Sequence, residues 1–209
     1  MGQTRERGFQ MSDAQDHKEK MQKVQASHRK KVSETVDPGR GLVLINTGKG
    51  KGKSSAAFGV VIRALGWGQN VAVVQFIKGK WKTGERRFFQ DRDLVTWHTM
   101  GEGFTWDTQD RERDIAAATA AFGKACDLMK SGEYDLVVLD EINIALRYEY
   151  LSVDTVIEGL KARSDRTSVF LTGRDAPQAL RDYADLVTEM TEEKHPFQAG
   201  IKAQRGVDY

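Results

Sequence analysis

The sequence predicts an α/β fold: a mostly parallel sheet covered by helices on both faces, with a polar N-terminal helical arm in front. Three observations carry this. Short β-branched runs alternate with helical segments from Gly41 onward. The runs are apolar at consecutive positions, as strands buried on both faces must be. The composition also shifts near residue 40. The expected organisation is an arm over 1–40, partly disordered or forming a lid helix, and one domain over 41–209.

The arm carries nine Lys/Arg and six Asp/Glu in residues 1–40, and only nine of its first 38 residues are apolar. That is too few to hold a core. His17 to Val36 reads as one polar helix, with Met21, Val24 and His28 as a thin stripe at helical spacing. Asp37-Pro38-Gly39 then breaks it. Beyond the break, strands are expected at Leu42–Thr47, Val71–Ile77, Leu94–Thr99, Leu136–Asp140 and Ser168–Thr172, with a weaker one at Leu186–Met190. Helices are expected at Lys53–Leu65, Asp110–Met129, Val153–Arg163 and Pro177–Ala184. Right-handed crossovers place the functional loops at the carboxyl ends of the strands.

Composition narrows the classes. The 209 residues hold 32 Lys+Arg against 30 Asp+Glu, a balance that disfavours a general nucleic-acid or membrane polycation. Cys126 is the only cysteine, which excludes an intrachain disulfide and a cysteine-ligated metal. It reads as a small buried side chain in an Ala-rich helix. His17, His28, His98 and His195 lack ligand spacing. No apolar run approaches the roughly 20 residues that span a bilayer, and the start of the chain is polar. A cytoplasmic protein is expected. Trp67 and Trp81, near loop glycines, are expected to pack.

The strongest chemical signal is the apolar run Leu42–Thr47 followed by Gly48-Lys49-Gly50-Lys51-Gly52-Lys53-Ser54-Ser55 and a helix. Strand, glycine turn and helix together are the context of a P-loop, so the sheet is expected to be P-loop NTPase-like. Glycines let backbone N–H groups turn toward phosphate oxygens, and the helix points its positive end at the same anion. Lys53 supplies a point charge and Ser54 a hydroxyl for Mg²⁺. The usual loop has four residues between its first glycine and the Gly-Lys-Ser/Thr. Here Gly48 and Gly52 enclose three, unless Thr47 takes the first place. That weakens an ordinary ATPase reading. Lys49 and Lys51 make the loop unusually cationic, which suits a triphosphate.

Tyr134-Asp-Leu-Val-Val-Leu-Asp140-Glu141 ends a strand in two carboxylates, oxygen donors of the kind Mg²⁺ takes beside phosphate. Val169-Phe-Leu-Thr172-Gly173-Arg174 ends another strand, and Arg174 either forks onto phosphate or stays solvated. The loop after Leu94–Thr99 holds Phe104 and Trp106 between glycines. These rings either plug back into the core or line a site for a flat apolar ligand.

Taken together, Thr-Gly-Lys-Gly-Lys-Gly-Lys-Ser-Ser-Ala-Ala-Phe-Gly, Val-Val-Gln-Phe-Ile-Lys-Gly, Gly-Phe-Thr-Trp-Asp-Thr-Gln, Val-Val-Leu-Asp-Glu, Thr-Gly-Arg and the segment Ala199–Tyr209 resemble the P-loop type of ATP:corrinoid adenosyltransferase. The resemblance runs from about Gly41 to Tyr209. It implies transfer of the 5′-deoxyadenosyl group of ATP to the cobalt(I) of a corrinoid (cobalamin, cobinamide or cobyrinic acid a,c-diamide), with triphosphate released. It also implies ATP held reversed in the loop, Mg²⁺ or Mn²⁺ as cofactor, an external electron donor such as a reduced flavoprotein, and a homodimer. By resemblance Gly48 to Ser55 bind triphosphate and metal, Arg63 and Arg174 contact the nucleotide, and Asp140 and Glu141 stand on the metal side. Lys53, Glu141 and Arg174 are the expected catalytic residues. Phe104 and Trp106 match the aromatics that close off the lower face of the corrin. The arm resembles a helix that covers a corrinoid site. Lys49 departs from members with a neutral residue, and Ser54 replaces a commoner Thr. Two other classes remain in view: a P-loop hydrolase or kinase releasing ADP, and a corrinoid-binding module without turnover.

Overall fold

The computed structural model describes residues 3–76, 83–99 and 110–208. It divides into two compact units, Met1–Pro38 and Gly39–Tyr209. The first is one helix, α1 (Gln3–Ser33), with a basic last turn. It begins well before the expected His17: residues 3–16 contain no proline, and Gly8 is their one glycine. Side chains from Gln15 on are exposed, including Met21 and Val24 of the thin stripe. The helix ends where Ser33 Oγ and Thr35 Oγ1 donate to the carbonyls of Lys30 and Val32, at 2.8 and 2.7 Å.

The second unit is built on β1 (Val43–Thr47), β2 (Val71–Gln75), β3 (Val95–Thr99), β4 (Leu136–Asp140), β5 (Ser168–Thr172) and β6 (Leu186–Glu189). Their order is β3-β2-β4-β5-β1-β6, and every pairing is parallel. The helices are α2 (Lys53–Gly66), α3 (Gly84–Phe89), α4 (Arg111–Lys130), α5 (Ile142–Arg147), α6 (Val153–Lys161) and α7 (Gln178–Tyr183), with a 3-10 turn at Pro196–Ala199.

Alternation along the strands serves two cores. Val71, Val73, Leu136, Val138 and Phe170 pack with Ala57, Phe58 and Val61 of α2. Ala72, Val74, Val137, Leu139, Val169 and Leu171 point the other way, to Phe122 and Ala125 of α4 and Val156 and Leu160 of α6. Each fully buried aliphatic side chain contributes about 1.5–3 kcal/mol, so a strand apolar at every position is stabilised on both sides. All-parallel pairing puts the ends of all six strands along one edge.

Two helices have no counterpart in the sequence reading. α3 and α5 are six residues each, less than two turns, and unlike the equally short α7, which follows Pro177, neither has a proline to mark its start. The expected packing of Trp67 is corrected: it caps the end of α2 and is 82% exposed. Trp81 lies outside the described residues. Cys126 is half-buried against the α4–α6 core, and burial pushes its thiol pKa up.

Candidate active site

At the end of β1 the chain turns through Gly48 and Gly52, with φ of 95° and 105°. The segment following β6 backs this loop. A Cβ on Gly50 would lie 2.4 Å from the Thr191 carbonyl oxygen, and one on Gly48 would lie 2.4 Å from that of Met190. Gly50 N–H donates to Met190 O at 2.8 Å, and Met190 N–H to Thr47 O at 2.9 Å. Only glycine permits that approach. α2 then begins at Lys53, whose ammonium donates back to the Gly50 carbonyl. Lys53 is 7% exposed. Burial lowers its pKa, and Glu141 partly offsets that.

The end of β4 is tied to its neighbours. Asp140 accepts from Thr172 Oγ1 at 2.9 Å and from Gln75 Nε2 at 3.1 Å. Glu141 follows in the left-handed region, φ 62°, and its N–H donates to the same Thr172 hydroxyl at 2.9 Å. That turn aims its carboxylate inward, where Oε2 is buried without a hydrogen-bond partner. Burial, then the neighbouring Asp140, push its pKa up to about 7, while Lys53 and Arg174 pull the other way. Gly173, at φ 125°, gives its carbonyl to Asn143 Nδ2 at 3.0 Å and leads into Arg174.

These groups meet around one cavity of about 1010 Å³. Lys51, Lys53, Ser54 and Ser55 form one side, and Asp140, Glu141 and Arg174 another. Phe58 and Ile144 supply apolar wall, with Thr83–Glu85 and Gly206–Asp208 at further edges. Phe58 is braced from behind by Phe89 and Trp97, with ring centroids 5.9 and 5.6 Å away.

Lys51 to Ser55, Asp140, Glu141 and Arg174 are thus brought together. Gly48, Lys49 and Gly50 do not line the cavity: the glycines face Met190 and Thr191, and Lys49 is exposed. The Gly50 N–H is already committed to a backbone carbonyl. Arg63 is exposed in the last turn of α2, ten residues and about 15 Å along the axis from Lys53. Within this chain it is set apart from the cavity. Phe104 and Trp106 lie outside the described residues. Gln75, Phe58 and the Gly206–Asp208 segment lie within the stretches that carry the resemblance, but the sequence assigns them no place in the site. A polar residue closing an apolar strand was the available signal for Gln75, but its pairing with Asp140 depends on β2 lying beside β4.

A sequence model of the family described as ATP:corrinoid adenosyltransferase BtuR/CobO/CobP matches residues 39–209. The chain is 50% identical over 196 residues to the corrinoid adenosyltransferase of Pseudomonas aeruginosa, covering 93% of this chain and 96% of that protein. It is 50% identical over 196 residues to one from Sinorhizobium sp, covering 92% and 91%. It is 42% identical over 199 residues to corrinoid adenosyltransferase CobA of Salmonella typhimurium, covering 95% and 100%. Identity at this level over nearly the full length of each relative, centred on the unit that carries the cavity, makes this chain a member of the ATP:corrinoid adenosyltransferase family.

Proposed function

We propose that the cavity holds the triphosphate of ATP against Lys53, Lys51 and Arg174 while the ribose C5′ is presented to the cobalt of a corrinoid. The observation that carries this is the convergence of three cations and a carboxylate pair, drawn from the ends of β1, β4 and β5, on one cavity. In the transfer, cobalt(I) gives its electron pair to C5′, and the C5′–O bond breaks. That bonding pair stays on the departing triphosphate, so no protein nucleophile is required. The chain's contribution is position and charge. Lys53 exchanges the Gly50 carbonyl for phosphate oxygen, and Arg174 forks onto a second phosphate.

The donor set also suits Mg²⁺ or Mn²⁺: Ser54 Oγ and Glu141 Oε2 would hold it, with Asp140 acting through its own hydrogen-bond partners. The unpartnered buried oxygen of Glu141 supports this, because such an atom is costly unless a cation meets it. When bound, the metal adds positive charge beside the phosphates. An external electron donor, a homodimer and a cytoplasmic location complete the reading, as does closure of the lower corrin face by Phe104 and Trp106. These rest on the family resemblance.

Anaerobic incubation with ATP, Mg²⁺ and chemically reduced cob(I)alamin tests the proposal. Light-sensitive adenosylcobalamin with stoichiometric triphosphate is the expected result. ADP and phosphate with an unchanged corrinoid would overturn it.

A further inference from the structure

The chain after β6 meets the phosphate loop twice. Met190 and Thr191 back the glycines, as described, and a turn over 204–208 reaches the rim of the cavity. That turn is tightly made. Val207 and Asp208 N–H groups both donate to Gln204 O, at 3.1 and 2.8 Å, and Gly206 takes φ 83°. The Asp208 carboxylate is fixed at both oxygens: Oδ2 accepts from Gln204 N–H at 2.8 Å, and Oδ1 pairs with the Lys51 ammonium. Burial runs against ordinary expectation here. The Asp208 side chain is only 13% exposed, whereas Val207 beside it is 77% exposed. The turn presents its anion inward, onto a lysine of the phosphate loop. Lys51 holds the Asp208 carboxyl below its ordinary range.

We propose that Asp208 is a positioning residue that takes the place of a phosphate oxygen on Lys51, and that it competes with triphosphate for that ammonium. The inference rests on the reading that this cavity binds triphosphate. A carboxylate and a polyanion cannot share one ammonium at contact distance without repelling each other. Arrival of ATP therefore displaces Asp208, and the pair re-forms as the inorganic triphosphate leaves. Each exchange is small, because a partly exposed pair is weak. Small exchanges suit a group that must let go of a highly charged product.

The test is calorimetric titration of the full chain with inorganic triphosphate and Mg²⁺. Asp208→Asn should lower the Kd about threefold, the scale of one exposed ion pair. Asp208→Glu, which keeps the charge within reach of Lys51, should retain the wild-type value. In a Lys51→Ala background, Asp208→Asn should give no gain. An unchanged or raised Kd in Asp208→Asn would overturn the proposal, as would an equal gain without Lys51. Failure of the wild-type chain to bind triphosphate would instead overturn the phosphate role of the cavity, and this inference with it.

Discussion

Lys53 and Glu141 are both carried into the protein by their turns, and burial disfavours the charged form of each. Lys53 rests on a carbonyl, a neutral partner that on the proposed reading gives way to phosphate. Lys53→Ala should lower kcat/KM for transfer by about 100-fold or more, the cost of losing one aimed electrostatic group, as measured with pre-reduced cob(I)alamin. Glu141 has no partner at Oε2 and resists ionisation. Replacing it with Gln removes the cost of a buried charge. Glu141→Gln should therefore raise unfolding stability at pH 8 by about 1–2 kcal/mol while abolishing transfer. Equal or lower stability in a chemical-denaturation series would count against that account. Lys53, Glu141 and Arg174 were legible because each sits at a fixed offset from a glycine or an apolar run. Gln75 and Phe58 were not, since their roles exist only once β2, β4 and α2 are neighbours.

Elements show where a single Cβ matters. Gly59 lies mid-helix in α2 with nothing within 4 Å of an added Cβ, whereas a Cβ on Gly159 of α6 would meet Phe122 at 2.6 Å. Gly59→Ala should stabilise by about 0.5–1 kcal/mol, and Gly159→Ala should destabilise by about 1–3 kcal/mol as α6 is pushed off α4. The start of the sheet is clipped by Asp185, which accepts Val43 N–H at 2.9 Å and the Arg40 guanidinium at 2.6 and 2.8 Å. The Arg40 bond holds its carboxyl pKa down at about 2. A carboxylate with a depressed folded-state pKa contributes fully above its unfolded value near pH 4, and that contribution is lost as pH falls toward 2. With solvent screening, the gap between wild type and Asp185→Asn should be about 1 kcal/mol at pH 6 and close to zero at pH 2. Thermal melts across that range check it. Strands and the longer helices were readable because their periods had room to repeat. α3 and α5 were not: they lack the proline that opens the equally short α7, and their starts are set by local geometry, with Thr83 accepting from Arg86 N–H and the left-handed Glu141 starting α5.

On the scale of the whole molecule, the cores belong to the Gly39–Tyr209 unit, while α1 has no buried side chain from Gln15 on. Removing residues 1–38 should leave the thermal midpoint of the remaining unit within a few degrees, since little apolar burial is lost. Any larger shift in calorimetry would show that the arm supports the fold. The boundary near residue 40 was visible because composition alone sets it. The backing of the phosphate loop was not, because Gly50 and Thr191 are brought together by β1 pairing with β6. That pairing also sets an order of events during synthesis. The loop leaves the ribosome early, but the carbonyls that shape it are made some 140 residues later. A nascent chain stopped before Met190 should thus carry every lysine of the loop and still fail to grip nucleotide. On the proposed reading, competence arrives only once Met190 and Thr191 are in place behind Gly48 and Gly50.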